Sequence, residues 1–272
     1  MRSSIAEVRA ERQGFALLFV LWLLVLLALV AAHLTATGSR ESRIARNLVS
    51  GAQTEAAADG AVYDAIFRLA TTGLTGERSA YRTRIGGLPV GILLSNETAK
   101  INPNTAPAPV LSALLQAATG MDAGTAATIA QAIVDWRSDD DGDKTATARI
   151  RATYLAAGKD YAPPHERFRS LDELGEVLGM NPALAARLAP HLSLYAPEGA
   201  AAPSSDPVVT AARAVLPAAG GVTPPAQVVA IDVRADGPDG AVFLRHAVVR
   251  LIPDGTPSWR LLAWDRPSAP IH

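Results

Sequence analysis

The stretch from Phe15 to Ala32, FALLFVLWLLVLLALVAA, runs for eighteen residues without a charge. Thirteen of these are Leu, Val or Phe, and at roughly −0.3 to −0.6 kcal/mol each on an insertion scale they favour the bilayer by about 4 to 8 kcal/mol. As a helix rising about 1.5 Å per residue the segment reaches roughly 27 Å, close to a hydrocarbon core of about 30 Å. A membrane span is therefore expected over 15–32, with Phe15, Phe19, Trp22 and Ala32 in the anchor. The segment is longer than the roughly 7 to 15 apolar residues of a secretory signal, and the far side, AAHLTATGSRES, offers only a weak cleavage site. Arg2, Arg9 and Arg12 precede it while Arg40, Arg43 and Arg46 lie beyond it, so loop charge does not set orientation. On its own the stretch fits an uncleaved anchor or a leader cut on its near side equally well.

The chain beyond the apolar stretch must fold as a globular body, since 272 residues with an apolar fraction of 49% can build a real core. From Ser39 to Ala70, Ile44, Leu48, Val62, Ile66 and Leu69 recur at helical spacing, with Ala52, Ala56 and Ala58 between them. No proline interrupts Phe15 to Ala70, so one helix of about 56 residues is expected, its first third in the membrane and its last part packed on the body. Tyr81–Ile85 and Val90–Ser95, separated by GGLP, read as strands. Residues 103–195 read as helical. Asn104 or Thr105 is expected to cap a helix carrying Val110, Leu111, Leu114 and Leu115. Asp122 caps a second with Ile129, Ile133, Val134 and Trp136 inward, and Ser170 with Glu173 forms a capping box before Gly179 and Pro182. The Pro- and Ala-rich segment 197–225 reads as a connection, with one or two helical turns at Val208–Leu216. Alternation then predicts three strands near 229–235, 241–252 and 259–264, joined by DGPDG and PDGTP turns into a meander with one covered face.

Gly14 followed by Phe15 behind a short polar leader resembles the class III leader cut by prepilin peptidase. Leader, long helix and sheet-bearing body follow the type IV pilin plan. With KINPNTAP, with AIVDWRSDDD followed by FRSLDELGEVLGMNPALAARLAPHLSLY, and with a closing RLLAWDRP, the chain resembles the minor pseudopilin K family of type II secretion systems. That resemblance implies an α+β fold in which a long N-terminal transmembrane helix packs on an antiparallel sheet, interrupted by a large all-α insertion of helix-hairpin-helix character. The implied divisions are a leader at 1–14, the long helix at 15–71, a pilin-like core at 72–102 and 200–272, and the insertion at 103–199. It further implies cleavage after Gly14, methylation of the new N-terminus at Phe15, and an inner-membrane anchor with the body in the periplasm. The implied role is capping the pseudopilus tip, initiating assembly and limiting fibre length, with partners among the I, J and H minor pseudopilins, the major pseudopilin and prepilin peptidase. Most pilins of this plan carry Glu at the fifth mature position, here Phe19. An intramembrane acid costs about 2.5 to 3.5 kcal/mol and persists where it has a partner, so its absence agrees with a subunit that has none above it.

DWRSDDDGDK places Asp135, Asp139, Asp140, Asp141 and Asp143 within nine residues. Clustered carboxylates suit calcium, which takes roughly six to eight oxygens, and the resemblance also implies calcium, with Asp139, Asp141 and Asp143 as candidate ligands. The spacing is not that of an EF-hand, since Lys144 takes the glycine position and Ile150 the glutamate position; a solvated acidic loop is the other reading. The helical pairs also look like the DNA grip of a membrane-anchored uptake protein. Yet TGMDAG puts Asp122 where a phosphate would sit, lysine occurs only at 100, 144 and 159, and the net charge is −1. Nucleic acid is not expected. Nor is an enzyme: the five histidines show no metal-ligand spacing and no nucleophile elbow or phosphate loop occurs. Cysteine is absent, which excludes disulfides and thiolate sites. His191 reads as packed or surface, and Trp136, Trp259 and Trp264 as core or subunit-contact residues.

Overall fold

The computed structural model describes residues 3–72, 78–138, 144–197, 203–216, 226–252 and 258–267, with the side chains of 3–17, 32, 34–42, 144 and 146 outside the description. Helix α1, Ser3–Thr72, is a single element of 70 residues, about 105 Å long. Positions 3–14 share its backbone with the apolar run. Among the described residues no helix is long and apolar enough to cross a membrane. The apolar run with described side chains covers 18–31, about 21 Å of helix, and residues 15–17 and 32 of the expected span fall outside it.

Five antiparallel strands form one sheet in chain order: β1 Arg78–Ile85, β2 Leu88–Asn96, β3 Val228–Asp236, β4 Val242–Leu251 and β5 Trp259–Asp265. β1 and β2 join through Gly86 and Gly87, at φ 57° and 84°, the positive angles that a two-residue hairpin turn demands. β2 and β3 are 131 residues apart in sequence between Asn96 and Val228, yet they pair from Val90–Ala235 to Asn96–Val229.

Strand alternation turns Val90, Ile92 and Leu94, Val229, Ile231 and Val233, and Phe243, Ala247 and Val249 onto one buried face. α1 covers it with Ala57, Ala58, Ala61, Val62, Ala65, Ile66 and Leu69. These positions follow the helical period, and the alanines allow close approach. Ile44 and Leu48, which share the helical spacing, are exposed because the sheet first meets α1 near Ser50. There the β3–β4 turn fits tightly: a Cβ at Gly237 would lie 1.9 Å from Thr54 Oγ1. Thr54 Oγ1 donates to Ser50 O at 2.6 Å and Ser50 Oγ to Pro238 O at 3.0 Å.

The segment between β2 and β3 builds its own core. It holds α2 Ala108–Thr119, α3 Ala123–Arg137, α4 Lys144–Ala156, α5 Pro182–Leu188 and α6 Pro207–Arg213, with a 3-10 turn at Leu171–Glu176. Val110, Leu111, Leu114, Leu115, Ile129, Ile133, Trp136, Tyr154, Phe168, Leu174 and Leu188 are buried together. Ser170 and Glu173 form their capping box, on the 3-10 turn. α6 lies where one or two helical turns were expected, but Val209 and Ala212 are buried in this core, so the helical unit continues past residue 199. Asn104 and Thr105 do not cap α2, whose N-cap is Pro107 without a side-chain bond.

Gly237→Ala is expected to destabilise the body by about 1–3 kcal/mol through overpacking, read as a lowered denaturation midpoint. Thr54→Ala in the same chain should recover most of that loss, a coupling visible in a double-mutant cycle.

Candidate functional site

Gly14 and Phe15, the expected processing pair, lie within the helical backbone of α1, and their side chains are outside the described set. Phe19 and Trp22 are exposed at 66% and 74%, alongside exposed Leu18, Leu23 and Leu26. So large an uncovered apolar surface calls for a membrane or a protein partner. Ala32 lies outside the described side chains.

α1 is pinned to the body at two places. Arg245 on β4 points inward, 8% exposed. Its Nε donates to Asp59 Oδ1 at 2.6 Å and Nη2 to Glu55 Oε1 at 3.1 Å, while its guanidinium lies 4.9 Å from the ring centroids of Phe243 and Trp264. Tyr63 of α1 packs 5.9 Å from Trp264 and 6.4 Å from Trp259, so both tryptophans belong to the helix–sheet contact. At the β1 edge, Tyr81 Oη donates to Asp64 Oδ2 at 3.4 Å; burial, then the nearby Asp64 charge, push the phenol up to about 12. The arginine clasp was missed in the sequence. Its signal was an arginine at an inward strand position together with acids spaced four apart on the facing helix.

The insertion leaves the sheet through a narrow junction. Glu97 N donates to Val228 O at 2.8 Å and Val228 N to Thr98 Oγ1 at 2.7 Å. The asparagines of KINPNTAP then act as clamps rather than helix caps. Asn102 Nδ2 donates to Leu194 O and Ala196 O at 3.1 and 2.8 Å. Asn104 accepts from Phe168 N at 2.8 Å and donates to Phe168 O at 3.0 Å. The Arg137 guanidinium donates to Ala106 O at 2.6 Å and to Pro103 O, and burial followed by repulsion from Arg167 lowers its pKa. His191 binds Asp206, which also accepts from Val208 N at the start of α6.

A groove of about 700 Å³ separates the insertion from the sheet face opposite α1. Glu97, Lys100 and Tyr195 line one side, and Asp232, His246 and Asp265 the other. His246 Nδ1 lies 2.6 Å from Asp232 Oδ1, and Asp265 is its register partner on β5. Burial disfavours the imidazolium, but the Asp232 hydrogen bond and the charges of Asp232, Glu97 and Asp265 outweigh it, leaving the pKa raised above 6.5.

Asp139, Asp141 and Asp143, the candidate calcium ligands, lie outside the described residues, as does Asp140. Asp135, at the end of α3, accepts from Gln131 Nε2 at 2.8 Å. Among the described residues no group of three or more His, Asp or Glu could hold a metal ion. Both helical hairpins use their own side chains at the helix starts. Asp122 accepts from Thr125 N at 2.9 Å and Asn181 from Leu184 N at 2.8 Å, so these amides are not free for phosphate. The Thr125 bonds also hold Asp122 below the usual carboxylate range.

A long helix clasped by one face of an antiparallel sheet, with a helical unit spliced between two paired strands, defines an α+β fold carrying an inserted helical unit. Residues 92–198 match the family model described as type II secretion system protein K, so this part of the chain is similar to that family. The overall fold is also that of a chain in the crystal structure of the GspK-GspI-GspJ complex from the enterotoxigenic Escherichia coli type 2 secretion system. The TM-score is 0.59 at 13% identity, with 84% of this chain and 100% of that one covered. No curated protein matches in sequence.

The raised His246 pKa implies stability that is fully present below about pH 6.5, the ordinary value, and lost as pH rises through the folded-state value. In thermal melts, the stability advantage of the parent over His246→Gln should therefore be larger at about pH 5.5 than at about pH 8.5.

Proposed function

We propose that this chain is the minor pseudopilin that caps the tip of a type II secretion pseudopilus, starting its assembly and limiting its length. The placement of the insertion carries this reading. The β2–β3 ladder begins at Val90–Ala235, beside the Gly237 turn that abuts Thr54, and ends at Asn96–Val229, where the insertion leaves. Six strand steps of about 3.3 Å put these ends roughly 20 Å apart. The helical unit thus departs from the end of the ladder away from the Thr54 contact and the N-terminal part of α1, where it would obstruct a further subunit. Its role is structural rather than enzymatic.

On this reading prepilin peptidase cuts after Gly14, Phe15 becomes the methylated N-terminus, and 15–32 anchors the chain in the inner membrane with the body in the periplasm. I- and J-type minor pseudopilins are the proposed neighbours, as in the complex whose fold this chain shares, with H-type and major subunits below. The lack of an acid at Phe19 supports a terminal position.

Because Glu97 N and Val228 O are 2.8 Å apart, replacing 98–227 by a short turn should leave α1 and the sheet able to fold. In secreting cells the shortened chain is expected to begin at Phe15 and to yield longer pseudopili than the full chain in electron micrographs. Equal fibre lengths would overturn capping, and a mature N-terminus near Ser39 would overturn the leader.

For the acidic run, the carboxylates of Asp139, Asp141 and Asp143 form a donor set suited to a hard cation, and we propose calcium there. Titrating the full chain calorimetrically should give heat of binding that Asp139→Asn with Asp141→Asn abolishes; no heat from the parent excludes the ion.

A further inference from the structure

The sheet face turned away from α1 is only partly covered by the insertion. Alternation along β1 exposes Arg78, Ala80, Arg82 and Arg84 there. The register sets Ala80 beside Leu93 and Asp232, and Arg82 beside Gly91, Arg234 and Leu244. Gly91 is the position that shapes this surface: a Cβ there would meet nothing within 4 Å. The result is a hollow of about 440 Å³, with Ala80, Gly91, Leu93 and Leu244 in its floor and Arg82 and Arg234 at its rim.

The charge around the hollow is unbalanced. Asp232 is engaged by His246 at 2.6 Å, and Asp236 by Arg234 at 3.0 Å. Arg78 and Arg82 have no ion-pair partner among the described residues, and Arg84 Nη1 donates to Gly87 O at 3.2 Å. An apolar floor beside the unpaired Arg82, with unpaired Arg78 further along the same strand face, is complementary to carboxylates flanking an apolar side chain. Guanidinium–carboxylate bonds are strong where water is partly excluded, and rim charges of one sign steer a partner of the opposite sign. The hollow adjoins β1, whose outer edge has no neighbouring strand among the described residues, so an extended segment could lie along it.

We infer that this hollow is a docking site for an acidic, extended segment of a partner protein, in which an apolar side chain sits over Gly91 between carboxylates that reach Arg82 and Arg78. It uses the face opposite the one buried by α1, so docking here is compatible with helix-to-helix packing in a fibre. The inference does not depend on the capping role.

The test uses the full chain in detergent micelles and a fluorescein-labelled peptide of alternating Glu and Leu, with the Lys–Leu counterpart as control, read by fluorescence polarisation. Binding of the acidic peptide alone is expected, weakening steeply between about 50 and 300 mM salt. Arg82→Glu and Gly91→Phe should each reduce affinity at least tenfold while melting like the parent. Arg82→Glu changes only an exposed side chain, so the test survives if Gly91→Phe misfolds. Equal binding by Arg82→Glu and the parent overturns the site, as does binding of the Lys–Leu peptide. Absence of any binding overturns it too and leaves the arginines as a device that blunts the sheet edge. A concentration-dependent dimer in sedimentation, lost in Arg82→Glu, would replace the partner by a second copy of the chain.

Discussion

The close seating of α1 on the sheet depends on how little side chain separates them. Ala57, Ala58, Ala61 and Ala65 place helix backbone near the branched residues of β2, β3 and β4, and dense contact of this kind supplies both burial and dispersion. Arg245 contributes differently. It is almost wholly buried, yet its partners Glu55 and Asp59 remain 48% and 32% exposed, so solvent screens the pair and its contribution to stability is modest. Its five donors and the flanking Phe243 and Trp264 rings fix where the helix lies along the strands. Hydrophobic contact holds α1 down, and the guanidinium sets its register.

The insertion answers to a separate core. Its buried residues do not merge with those under α1, and the two meet where Glu97 and Thr98 bond to Val228. Thr98 and Asn102 satisfy backbone groups at that neck that would otherwise be buried without partners. The neighbouring groove gathers Asp232, His246, Asp265 and Glu97 beside Lys100, which pairs with Glu97 at 2.8 Å. There the Asp232 hydrogen bond and the surrounding carboxylate charges outweigh burial and favour the protonated imidazole.

Elements governed by one strong local pattern were legible in the sequence. All five strands fall within three residues of their expected limits. α2 and α3 show their apolar faces, and Asp122 is the cap its position suggested. Helices with weak signals were harder to read. α6 was expected only as one or two turns within a Pro- and Ala-rich connection; its seat in the helical core, where Val209 and Ala212 hold it against α2, is a tertiary effect. α4, with its polar sequence, gave no separate sign. Asn104 was misread because a side-chain amide beside a helix start suits a cap equally well as a clamp on distant Phe168. His246 and Asp232 lie fourteen residues apart on outward positions, and only the β3–β4 register brings them together. The acidic run is the reverse case: plain in sequence, but outside the described residues.

α1 meets the body from Ser50 onward, leaving 3–49 to extend beyond it as about 70 Å of helix. Such an arm magnifies angular error: each degree of slack where helix meets sheet moves its far end by about 1 Å. The glycine at 237, with no room for even a methyl group, removes slack at the fulcrum. A void too small for any side chain thus governs how well the distant end of the molecule is aimed.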